Sequence, residues 1–138
     1  MLPNPYGLPI TIEDAKKAAA PALGEARKNN WTMVVAIVDP GGIPVYLEKM
    51  DGAPTGSVAV SISKARSAAL FKRATKVFQD QLAGGGDGLR VLKLEQAIPV
   101  EGGVPIVIGG KVVGAIGLSG GTSAQDGQCA QAGASALT

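Results

Sequence analysis

Few side chains here could do chemistry, and the first useful fact is an absence. The 138-residue chain has no histidine and a single cysteine, Cys129. A Ser-His-Asp triad, a Cys-His dyad, a His-bound zinc and a His-ligated haem are therefore excluded. A lone cysteine cannot form an intrachain disulfide, and Cys129 reads as a small buried hydrophobe. The groups that remain are Lys64, Glu101 and Asp126, the last two beside glycine-rich backbone.

Gly117-Leu118-Ser119-Gly120-Gly121-Thr122-Ser123 lies between an apolar run and a helical one. A helix start flanked by glycines presents unpaired N–H groups and a favourable dipole to an anion. Ser119, Gly120, Gly121 and Thr122 could thus hold a ligand carboxylate or carbonyl oxygen. Plain capping by Thr122 or Ser123, with Asp126 near the third helical position, explains the same residues. The spacing is neither a Walker A loop nor a dinucleotide fingerprint. Glu101-Gly102-Gly103-Val104-Pro105 could set a carboxylate and free N–H groups at a pocket rim; a β-turn with an exposed Glu is the simpler account. Lys64, among Ser61, Ser63 and Ser67, sits on a partly apolar helix face. It could act as base or Schiff-base nucleophile, or run its stem along the surface to solvent. Asp39 and Asp51 both fall in turn sequences, with Asp51 also a candidate ligand contact.

The elements that must position these groups follow from periodicity and breakers. Residues 1–10 hold three prolines and read as an extended N-terminal arm; residues 11–138 read as a single domain. A helix starts at Thr11, with Ile12, Ala15, Ala19, Ala22, Leu23 and Ala26 on one stripe. The valine-rich run 31–39, the turn Asp39-Pro40-Gly41-Gly42 and the run 43–49 make a hairpin. A helix is predicted over 57–71, with Val58, Ile62, Ala65 and Ala69 as its buried stripe. Val60, Ser67, Ala68 and Phe71 form a second small or apolar face. A short helix over 75–83 leads to the run 84–88, expected as a mobile loop. Strands are predicted at 97–100, 104–108 and 111–118, the last two joined by Gly109-Gly110. Gly114 and Gly117 inside the last strand imply close packing against its backbone. A terminal helix over 124–137 buries Cys129, Ala132, Gly133 and Ala136. Hairpins interleaved with helices imply an α+β class with a largely antiparallel sheet.

Composition narrows the functional classes. Net charge is +2, and aromatic residues are only 4%, so the basic, aromatic-laced footprint of a nucleic-acid binder is missing. No apolar stretch is long enough to span a membrane. The opening residues have no basic n-region and no long apolar run, so a cytoplasmic location is expected.

The ordered set Val35–Gly42, Lys49–Ala53, Ser63–Ala68, Gly102–Ile106 and Gly114–Gly121, closed by Asp126–Ala134, resembles the GlcG/HbpS family of haem-degrading domains. The resemblance implies a profilin-like α/β/α sandwich, with a five-stranded antiparallel sheet, helices on both faces and homo-oligomers. It associates the chain with haem, or with the catabolism of small organic acids. Two positions depart from the haem-binding pattern: the hairpin turn reads Gly41-Gly42-Ile43-Pro44 where His is common, and Gly127 stands where an acidic residue is common. Haem would then need Met, Tyr, Lys or Cys129. The expected function is binding or conversion of a small carboxylated molecule without metal or cofactor. Gly102, Gly103 and 119–122 would hold the carboxylate, and Lys64, Glu101 and Asp126 would serve hydrolytic deamination or tautomerisation of an enamine or imine acid. A haem-binding or haem-degrading module and a non-catalytic oligomer are the alternatives.

Overall fold

Thr11 closes the arm and opens the first helix, its hydroxyl accepting a hydrogen bond from the Asp14 N–H at 3.1 Å. The computed structural model describes residues 1–138. In chain order it contains α1 (Ile12–Lys28), β1 (Val34–Val38), β2 (Pro44–Lys49), α2 (Ser57–Phe71), α3 (Thr75–Ala83), a 3-10 segment (Gly86–Lys93), β3 (Gly103–Ile108), β4 (Lys111–Ser119) and α4 (Ser123–Ala134).

The strands form one antiparallel sheet in the order β2-β1-β4-β3. It has four strands where five were expected. The missing strand is 97–100, which forms no ladder. Pro99 has no N–H to offer, and the Ile98 N–H donates instead to Ser67 Oγ on α2 at 3.2 Å. The run 84–88 closes α3 and enters the 3-10 segment. The arm is hydrogen-bonded along the start of β4: Val112 N–H donates to Pro5 O, and the Gly7 N–H to Val112 O.

α1 and α4 cover one face of the sheet and α2 covers the other. On the first face Val35, Ile37, Ile106, Ile116 and Leu118 meet the alanines of α1 and Cys129 of α4. On the second, Val38 and Ala115 meet Ala65, Ala68 and Ala69.

The α2 face turned to the sheet is not the predicted one. Ala65 and Ala69 are buried as expected, but Val58 and Ile62 are only half-buried, and Ser57, Ser61, Lys64 and Ala68 lie inward. The cause is the distance of approach. Gly103 and Gly117 are paired across β3 and β4. A β-carbon on Gly117 would run into the Ser61 carbonyl oxygen, and one on Gly103 into that of Lys64. The helix backbone rests on the sheet backbone, so only small side chains fit beneath it. Lys64 is nevertheless buried, with its Nζ beside the Leu118 carbonyl near the end of β4.

Candidate functional site

Lys64 leaves α2 on one face of the sheet and meets Asp126 of α4, which belongs to the other. Its Nζ donates to Asp126 Oδ2 at 2.7 Å and to Leu118 O at 3.1 Å. The two side chains are 2% and 3% exposed, so this is a buried ion pair. Asp126 Oδ1 accepts from the Gly121 N–H at 3.0 Å. Burial pushes the Asp126 carboxyl above its ordinary range, against the opposing pull of Lys64 and the Gly121 N–H. Gly102 seals the pair from outside. Its φ of +135° requires glycine, and a β-carbon there would come within 2.8 Å of Lys64 Nζ and 2.9 Å of Asp126 Cβ.

On the outer side of Gly102 lies a cleft of about 380 Å³. One wall is Glu101, Gly102, Gly103 and Val104; the facing wall is Ala124, Gly127, Gln128 and Gln131 of α4; Ala74 and Lys76 at the start of α3 close one end. The Glu101 side chain lies directly over Gly127, where any β-carbon would strike it. Backbone contacts fix this loop: the Glu101 N–H donates to Gln79 Oε1 at 2.8 Å, and the Gly103 N–H to Thr75 Oγ1 at 2.9 Å. No side chain caps α3; the Val77 N–H donates to Ala74 O at 3.0 Å and Thr75 is fully buried, which leaves the Lys76 N–H to a ligand or solvent. Lys76 is held to Asp80 at 2.7 Å; that hydrogen bond, Asp80's charge and more weakly Glu101 raise its pKa.

The candidates read from the sequence therefore separate. Glu101, Gly102, Gly103 and Val104 line the cleft. Lys64 and Asp126 are brought together one backbone thickness behind it. Ser119 is buried at the end of β4, and Gly120 packs against the Thr32 carbonyl. The N–H groups of Gly121 and Thr122 are taken by Asp126 and by Gln125 Oε1. Thr122 caps α4 reciprocally with Gln125, so the capping account of this loop holds. Asp51 lies elsewhere, in a depression shared with Arg27, Glu48 and Met50. Asp39 is a turn former, accepting from the Gly41 and Ile43 N–H groups. Lys76, Gln128 and Gln131 were not singled out from the sequence. The available sign was a cation in the first turn of a helix, where the dipole disfavours one.

The family model described as haem degrading protein HbpS-like matches residues 10–135. The chain belongs to the HbpS-like family. Protein GlcG of Escherichia coli K12 is 41% identical to it over 95 residues, 69% of each chain. The crystal structure of Klebsiella pneumoniae protein ORFY has 31% identity and a TM-score of 0.85, covering 99% of this chain and 95% of that one. That of a PduOC–haem complex has 26% identity and a TM-score of 0.83, covering 95% and 96%. In this HbpS-like chain no group of three or more His, Cys, Asp or Glu is placed to hold a metal ion. No helix is long and apolar enough to cross a membrane. Cys129 is buried, which pushes its thiol up to about 11, with Glu25 and Asp126 adding to the effect.

Proposed function

We propose that this HbpS-like chain binds a small carboxylated molecule in the cleft outside Gly102. The observation that carries the reading is the joining of Lys76, the uncapped start of α3 and the Gly102–Gly103 backbone in one concave surface. A carboxylate suits the Lys76 ammonium and the Lys76 N–H at the start of α3. Glu101 faces the same space and suits a hydrogen-bond donor on the ligand. Of the three acid–base groups named from the sequence, Glu101 alone lines the cleft, so it is the proposed proton carrier for an enamine or imine acid; such help is worth ~10²–10⁴-fold. Lys64 and Asp126 support the site from behind. A homo-oligomer is part of the same reading, supported by the exposure of Val60 and Leu70 on α2 and of Leu89, Leu92 and Leu94 beyond α3.

Titration of the full chain with benzoate and with succinate, followed by amide NMR shifts, tests the site. Saturable shifts at Gly102, Gly103 and Lys76 are expected. Lys76→Ala should weaken binding by about tenfold, the scale of one charge-assisted hydrogen bond. Unchanged affinity in that variant would remove the assignment.

Haem, the ligand in the PduOC complex, fits these residues poorly. The cleft is lined by no His, Met, Cys or Tyr, and its one lysine, Lys76, is engaged by Asp80 at 2.7 Å. Cys129 is buried, and the Tyr6 hydroxyl donates to Ala69 O at 2.6 Å. Added haemin is therefore expected to give no saturable Soret shift; a sharp, stoichiometric shift would restore haem as the ligand.

A further inference from the structure

Each wall of the cleft is tied to one end of the buried ion pair. Asp126 precedes Gly127, so it carries the α4 wall. Lys64 carries the opposite wall: its carbonyl underlies Gly103, and its Nζ lies against Gly102. The Leu118 N–H donates to Gly102 O at 3.0 Å, while Leu118 O accepts from Lys64 Nζ at 3.1 Å. The Gly102 turn, the end of β4, α2 and α4 thus meet at one pair of charges. Neither charged side chain lines the cleft.

We infer that Lys64 and Asp126 are positioning residues that set the separation of the cleft walls without touching the ligand. This rests on the cleft being the binding site proposed above. A charge pair is suited to the task because it is directional: it fixes α2 and α4 at hydrogen-bond distance, where an apolar contact tolerates sliding. The cost of burying both charges is met by their short contact and by the Leu118 and Gly121 partners. An apolar pair of similar volume can replace such charges without loss of folding, which separates positioning from bulk stability.

The test is amide hydrogen exchange on the full-length Lys64→Met/Asp126→Leu double variant. Exchange at Gly103 and Leu118 is expected to rise at least tenfold. Ile37 and Ile116, in the centre of the sheet, should keep their rates. Benzoate affinity should fall at least tenfold. Unchanged rates at Gly103 and Leu118, or an equal rise at all four residues, would overturn the inference. Should the double variant not fold, Asp126→Asn, which keeps an acceptor for the Gly121 N–H, is read in the same way. Failure of both to fold would make the pair a requirement of the whole domain and would also overturn it. Local loosening in the variant, with no benzoate binding by the wild type, supports the positioning role and removes only the choice of ligand.

Discussion

Lys64→Met is expected to destabilise the fold by about 3–5 kcal/mol at neutral pH, because it leaves the Asp126 carboxylate buried with no cation beside it. Methionine keeps most of the stem's volume, so little of the loss comes from a cavity. The deficit should therefore depend on pH. Burial already raises the Asp126 carboxyl, and Lys64, ahead of the Gly121 N–H, opposes the rise. Removing Lys64 raises it further. A carboxyl with a higher pKa folded than unfolded binds protons more tightly in the native state. The variant's stability should then be greatest below the unfolded value and decline as pH rises to the folded one. Urea unfolding midpoints across the acidic and neutral range check this. The variant should approach the wild type at low pH and fall away toward neutrality. A deficit constant with pH would assign the loss to packing.

Most of the fold was legible because its periodicities are local. The α2 span, the hairpin around Asp39 and the α1 alanine stripe follow from neighbours in sequence, and all appear. What was not legible depends on contacts between distant segments. Residues 97–100 are apolar and resemble a strand, but the Ile98 N–H is taken by Ser67 thirty-one positions away. The inward face of α2 was misassigned because hydrophobicity favours Val58 and Ile62, whereas Gly103 and Gly117 admit only small residues against the sheet. At the site, Gly102, Gly103 and Glu101 stood out by composition. The meeting of Lys64 with Asp126, sixty-two residues on, could not be read from either surrounding segment. Both had a ready local account, a surface lysine on a helix and an acid in a helix's first turn.

Gly117→Ala tests the close approach that makes this site possible, and it should destabilise although alanine is an ordinary strand residue. The new β-carbon would meet the Ser61 carbonyl oxygen and, at 2.6 Å, the Ala65 nitrogen. Both are backbone atoms inside a helix, so neither can turn aside. α2 would have to lift from the sheet, and overpacking of this kind costs about 1–3 kcal/mol, with the upper end expected because the lift also strains the Lys64–Asp126 contact. Gly24→Ala makes the opposite prediction. Gly24 lies inside α1 with nothing within 4 Å of an added β-carbon. There alanine should stabilise by about 0.5–1 kcal/mol through helix propensity and reduced chain entropy. Thermal unfolding of the two variants should move the midpoint in opposite directions. Equal effects would mean that the helix is not seated on the sheet backbone. Were α2 to stand off by the width of an ordinary side chain, Lys64 could not reach both Leu118 and Asp126, and the cleft's inner wall would have no anchor.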